Sequence, residues 1–259
     1  MRRRSPRALR AALDAATIPT WTWRKVAADG AMLAFSQAPG WLAPGQRIYA
    51  VGDVRGDLGA VRAMHAAIGG DLAARPCPRA TLIHLGDVIG ADAGSAEILA
   101  LLTAPVPGLP IITLRGDHEQ MLLDALDGDP AAATDWSHET GGDARTGWPA
   151  RLPARHVAFL RGLPDHHRAS GYFFAHAGVR PGIPLLRQSG ADLRGIRQLF
   201  LSSEQQFGAI VVHGHSVVPS PVVLPNRIGI DTGAGMGGRL TCAVLEEDRI
   251  AFLSPGFAP

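Results

Sequence analysis

At 259 residues, with 46% hydrophobic and 19% charged side chains, the chain has the length and composition of one large globular domain, which excludes a disordered or fibrous protein. Its net charge of +2 arises in the first ten residues, which hold five arginines and no acid; the rest carries 20 basic against 23 acidic side chains, so a basic nucleic-acid face has no support. No apolar run follows those arginines, no stretch approaches the roughly 20 apolar residues of a membrane span, and Cys77 and Cys242 form no disulfide framework; these features point to a cytoplasmic protein with neither membrane nor nucleic-acid partners.

Residues 1–45 read as an N-terminal extension packed on the body, with Trp21, Trp23 and Trp41 and a helix expected near 6–16. From 46 to 259 the chain reads as one domain. A strand is expected at 47–52, then a helix at 57–68, a strand at 80–86, a helix at 94–103, a strand at 110–115 and a helix at 118–126. That alternation predicts consecutive βαβ units and parallel strands. Residues 127–156 are rich in turn formers and lack a sustained apolar run, so a lid or loop is expected there. A helix at 154–161, a strand at 172–175, a helix near 191–201 and strands at 209–212, 227–231 and 239–245 follow, and suggest a second, more antiparallel sheet. The expected fold class is α/β, a two-sheet sandwich flanked by helices.

Six short apolar runs end abruptly in Gly, Asp or His: RIYAVGD (47–53), ATLIHLGD (80–87), PIITLRGDHE (110–119), YFFAHAG (172–178), AIVVHGH (209–215) and NRIGID (226–231). Such runs read as buried strands, and side chains at their ends can converge at one sheet edge, where open α/β folds place ligands. Carboxylates and imidazoles there suit divalent Mn, Fe or Zn. GAGMGG (233–238) is not a dinucleotide loop, because the following RLTCAVLE alternates like a strand instead of opening a helix. His84 reads as a core histidine, and His138, His166 and His167 as loop residues. His213 is a weak substitute ligand.

Read in order, GDVRGD (52–57), GDVIGAD (86–92), RGDHE (115–119), HAG (176–178), HGHS (213–216) and IDTGAGMGGRLT (230–241) resemble the motifs of the calcineurin-like metallophosphoesterases, most closely the bacterial serine/threonine phosphoprotein phosphatase branch. The resemblance covers about 47–253 and makes 46–259 a metallophosphoesterase domain. It implies hydrolysis of phosphate monoesters by water activated between two ions about 4 Å apart. Matched motif by motif, it implies Asp53 as a ligand of the first metal, Asp87 as the bridging ligand and Asp117, His176 and His215 as ligands of the second. His118 becomes the general acid, and Arg197 a phosphate contact. The implied cofactor is a divalent metal, Mn first with Fe or Zn as alternatives, and the implied substrate a phosphorylated protein or small phosphoester.

Three departures from the family pattern bear on activity. GDxHG has become Gly52-Asp53-Val54-Arg55-Gly56, and a guanidinium has no lone pair to ligate a metal. GDxxDRG has become Gly86-Asp87-Val88-Ile89-Gly90-Ala91, which replaces the carboxylate that orients the acid by Gly90 and the phosphate arginine by Ala91. GNHE has become Gly116-Asp117-His118-Glu119. Asp92 is a displaced substitute for the lost carboxylate. The paired changes at 55 and 117 motivate a one-metal variant in which Arg55 occupies the first-metal position and contacts phosphate. The alternative is a pseudophosphatase that binds phosphorylated or partner proteins. Dinucleoside polyphosphate hydrolysis also occurs in this family.

Overall fold

A computed structural model describes residues 33–104 and 108–255; the helix expected near 6–16 lies outside them. The chain begins β1 (Ser36–Gln37), β2 (Gln46–Val51), α1 (Leu58–Ala74), β3 (Arg79–His84), α2 (Gly94–Leu102), β4 (Ile111–Thr113) and α3 (Asp117–Leu126). It continues through α4 (Pro130–Thr140), α5 (Ala154–Arg161), β5 (His166–Ala169), β6 (Tyr172–Ala175), α6 (Gly190–Gly195) and α7 (Gln198–Leu201). The last strands are β7 (Ile210–His213), β8 (Val222–Leu224), β9 (Arg227–Gly229), β10 (Cys242–Glu246) and β11 (Arg249–Leu253).

Two mixed sheets result, ordered β1-β11-β10-β2-β3-β4 and β5-β6-β7-β9-β8. The parallel β2-β3-β4 ladder follows from the βαβ pattern in the sequence. Two sequence expectations differ from the structure. The second sheet is not mainly antiparallel, since β6-β7 and β7-β9 are parallel. The strand expected at 239–245 does not join it either: it forms β10, which pairs with β2 and, with the unexpected β11, extends the first sheet. An antiparallel hairpin can complete either sheet, and local pattern does not reveal which.

The strands β2, β6, β7 and β10 are buried along nearly their whole length because both faces are covered. In β2, Tyr49 and Val51 pack towards the helices while Ile48 and Ala50 pack between the sheets. In β6, Tyr172 and Phe174 face the inter-sheet core, and Phe173 and Ala175 pack with Leu193 and Phe200 on the outer face. The helices thus flank a sandwich, as expected. His84 is fully buried as a core residue, whereas His166 and His167 form the start of β5 rather than a loop.

Segment 127–156, expected as a loop, contains a three-turn helix. Asp129 caps α4 by accepting from the Ala131 amide at 2.8 Å, Pro130 fills its first turn, and Gly141 ends it at φ +75°. Its buried stripe is Ala132, Ala133 and Trp136. Two alanines and one large ring do not make an apolar run, which is why the periodicity is faint.

Candidate metal centre

Asp53 and Asp87 follow the C-terminal ends of β2 and β3, Asp117 opens α3 after β4, and His176 and His215 follow β6 and β7. Each strand is followed by a sharp turn, and three site residues accept left-handed backbone there: Arg55 at φ +52°, Asp87 at +48° and His215 at +60°. Such conformations cost on the order of 1–3 kcal/mol each and persist where surrounding contacts overdetermine them. Those contacts are present. Glu119, fully buried in the first turn of α3, accepts backbone N–H groups from Gly116 and Asp87 at 2.8 Å, Val88 at 2.9 Å and Ile89 at 3.2 Å. Asp53 accepts the His215 amide at 3.1 Å on both oxygens, and Gly214 must be glycine because a Cβ there would run into the Asp53 carboxylate.

Asp87, Asp117, His176 and His215 each offer a ligand atom, and these atoms lie within 4.8 Å of one another. His176 Nε2 lies 2.8 Å from Asp117 Oδ1 and 3.4 Å from Asp87 Oδ1, and His215 Nδ1 lies 3.1 Å from the same Asp117 oxygen. His176 Nδ1 faces the Leu85 carbonyl at 3.0 Å; donation there would leave Nε2 as the lone-pair nitrogen aimed at the carboxylates. Two carboxylates and two imidazoles are a donor set for Mn, Fe or Zn.

Charge in the site supports a cation. Asp53, Asp87, Asp117 and Asp231 face one guanidinium, that of Arg55, and Asp87 Oδ2 and Asp231 Oδ2 are buried without a hydrogen bond. Burial, then the neighbouring Asp231 carboxylate, pushes Asp53 well above the ordinary carboxylate range, and burial likewise raises Asp87. Burial alone would lower His176, but the charges of Asp87 and Asp53 and the hydrogen bond to Asp117 outweigh it and push the imidazole up to about 10. Burial would raise Asp117, yet hydrogen bonds from His176 and His215 hold it far below the usual range. Buried carboxylates that raise a neighbouring imidazole in this way mark an excess of negative charge, the electrostatics of a cation site. The residues fit a divalent metal.

Arg55 extends into this acidic cluster. Its Nη2 lies 3.3 Å from Asp53 Oδ2, 3.5 Å from Asp231 Oδ2 and 3.8 Å from Asp87 Oδ2, and its Nη1 lies 3.4 Å from His118 Nε2. Asp53 itself lies outside the four-residue donor group. Asp231, the last residue of the NRIGID run, and Glu119, in RGDHE, are not among the residues expected from the sequence, yet the first faces Arg55 and the second holds the Asp87 turn.

His118 is buried at the start of α3, its Nδ1 at 3.0 Å from the Ile89 carbonyl and its Nε2 3.6 Å from Asp87 Oδ2. Asp92 does not supply the orienting contact; a backbone carbonyl does. Arg197 is exposed at the rim, with Nη1 3.4 Å from the His215 carbonyl oxygen. His213 turns away from the donor group, its Nδ1 on the Gly214 carbonyl and its ring against Phe200.

A comparison with curated proteins found no match. Among solved structures, one provisionally described as a diadenosine tetraphosphatase aligns with a TM-score of 0.62 and 22% identity, over 84% of this chain and 97% of its own. A serine/threonine phosphatase from Saccharomyces cerevisiae, described as similar to human phosphatase PP5, aligns at 0.53 with 12% identity, over 84% and 82%. A cold-active protein-tyrosine phosphatase from a psychrophilic Shewanella aligns at 0.54 with 15% identity, over 83% and 82%. These likenesses establish the fold alone. The family model for calcineurin-like phosphoesterases matches residues 46–250, which include every one of these strand-end carboxylates and imidazoles, and the chain belongs to that family.

Proposed function

We propose that the chain hydrolyses phosphate monoesters at one divalent ion, Mn²⁺ by preference, and that its substrate is a serine/threonine phosphoprotein. The observation that carries the one-ion reading is the Arg55 guanidinium within 3.3–3.8 Å of Asp53, Asp231 and Asp87. A fixed +1 charge there offsets the carboxylates that a second ion would otherwise neutralise, and its N–H groups exclude a cation from the same space. Asp87, Asp117, His176 and His215 would hold the ion. When bound, it supplies Lewis-acid polarisation of the phosphoryl group and activation of water.

The chain's own residues do the rest. Arg197, exposed beside the His215 loop, offers a bidentate fork to phosphate oxygens entering from solvent. Arg55 presents its remaining N–H surface to the same anion. His118 would give the leaving oxygen its proton from Nε2 while Nδ1 stays on the Ile89 carbonyl.

One observation favours the alternative, a catalytically impaired phosphoprotein-binding module. With Nδ1 donating to Ile89, the Nε2 lone pair accepts from Arg55 Nη1 at 3.4 Å, so an acid proton must compete with a guanidinium for that position. The deciding experiment is hydrolysis of p-nitrophenyl phosphate and a phosphoserine peptide with Mn²⁺, with diadenosine tetraphosphate as a competing substrate. Turnover that disappears with chelator, and falls more than about tenfold in His118→Ala with metal content unchanged, is the expected result. Background rates in both proteins, with phosphopeptide still bound, would select the binding module. Preferential cleavage of the dinucleotide would replace the phosphoprotein substrate.

A further inference from the structure

The imidazole of His118 is oriented by an uncharged group that the chain must hold still by other means. A carboxylate at position 90 is sterically closed to this chain, because a Cβ on Gly90 would collide with the Arg55 carbonyl. Arg55 and Gly90 are therefore coupled: the backbone conformation that carries the guanidinium into the acidic cluster occupies the space where residue 90 would carry a side chain. The Ile89 carbonyl, 3.0 Å from Nδ1, is what remains to orient the ring.

A peptide carbonyl orients a ring only as well as its own turn is fixed, and three groups grip this one. Ser95 Oγ accepts the Gly90 amide at 2.9 Å and donates to the Gly90 carbonyl at 3.2 Å. Glu119 Oε1 accepts the Val88 and Ile89 amides. Trp148 Nε1 donates to the Gly90 carbonyl at 3.1 Å from a segment 58 residues further along the chain. Trp136, fully buried on α4, meets His118 edge-on at 6.0 Å and Trp148 at 6.4 Å between ring centroids. One indole thus meets the ring, and the other holds the peptide next to the one that orients it.

We propose that Trp148 is a positioning residue for His118, acting through the Gly90 carbonyl of the turn that carries the Ile89 carbonyl, with Ser95 and Trp136 completing the support. This deepens the phosphatase reading by giving α4 and the 149–151 turn the task that the lost carboxylate performs in relatives. A neutral support fixes the Nδ1 tautomer without adding negative charge beside a site that already holds four carboxylates.

The test is Trp148→Phe, which keeps an aromatic ring and removes the donor, in the full chain. The kinetic arm rests on the proposed reaction: kcat for p-nitrophenyl phosphate falls about tenfold while KM and metal content stay within twofold of wild type. The second arm needs no turnover. In Zn²⁺-loaded protein, the His118 Nδ1–H resonance, assigned by its loss in His118→Gln, is sharp in wild type and broadened by exchange in Trp148→Phe. An unshifted, sharp Nδ1–H signal in Trp148→Phe overturns the proposal, even if kcat falls. A wild type without turnover removes the phosphatase reading and leaves the resonance to decide. If Trp148→Phe does not fold, Ser95→Ala, which releases the same Gly90 carbonyl, is expected to give the same broadening; a sharp signal there overturns the proposal too.

Discussion

Arg55 has three buried carboxylates within 4 Å of its guanidinium, and a single side chain thereby decides how much of the site's negative charge is left for metal. Replacing it reverses the arrangement. Arg55→His withdraws the fixed charge and supplies an imidazole lone pair beside Asp53 and Asp87, so metal content after equilibration with Mn²⁺ is expected to rise from one ion per chain towards two. Elemental analysis of the purified variant checks this; content unchanged at one would remove Arg55 as the reason for a single ion, and content of two in wild type would remove the one-ion reading itself. Motif matching made Arg55 and Asp117 legible as departures, since both stand inside short conserved-spacing patterns. Asp231 is legible only as the end of an apolar run, and the Ile89 carbonyl not at all. The first lies 176 positions from Arg55, and the second is a backbone group that any residue type supplies.

Between elements, the contact of α1 with β3 holds a titratable pair away from the candidate site. His84 Nε2 lies 3.0 Å from His65 Nε2, and burial, followed by the charge of His65, lowers His84 from 6.5 to about 3. The unfolded chain therefore takes a proton below pH 6.5 that the folded protein refuses until about pH 3, and stability is lost progressively as pH falls through that window. Between pH 7 and 5 the loss from this residue is about 2 kcal/mol. Urea unfolding at the two pH values should show that loss in wild type, and about 2 kcal/mol less of it in His84→Leu, which cannot titrate. Equal pH dependence in both proteins would contradict the assignment. At this scale sequence reading succeeded where local signals were strong: β2, β3, α2, α3, α5 and β6 all stand within two residues of their expected limits at one end or both. It failed at α4, whose buried stripe is mostly alanine, and at β5, whose HHRA sequence carries no alternation of apolar residues.

For the molecule as a whole, the candidate donors come from both sheets: Asp87 and Asp117 follow β3 and β4 of the first, His176 and His215 follow β6 and β7 of the second. A bound ion would therefore tie the sheets together at their C-terminal edges, in addition to the apolar layer of Ile48, Ile83, Tyr172 and Phe174 between them. Metal at about 100 times its dissociation constant should stabilise the fold by about 2.7 kcal/mol. Removal by chelator should then lower the thermal midpoint by about 5–10 °C. The same treatment of a His176→Ala, His215→Ala double variant should produce no further drop; a chelator effect that persists there would place the ion elsewhere.

From its sequence alone this protein could be read as an α/β sandwich with a metal-binding edge, because buried strands and their terminal Asp and His residues are written as contiguous local patterns whose order matches one family. Tertiary structure decided the rest: which sheet received β10 and β11, that Arg55 lies among three carboxylates, and that two tryptophans stand behind His118. Those facts depend on distances between groups far apart along the chain. Backbone carbonyls and close packing set such distances, and neither has a residue-type signature.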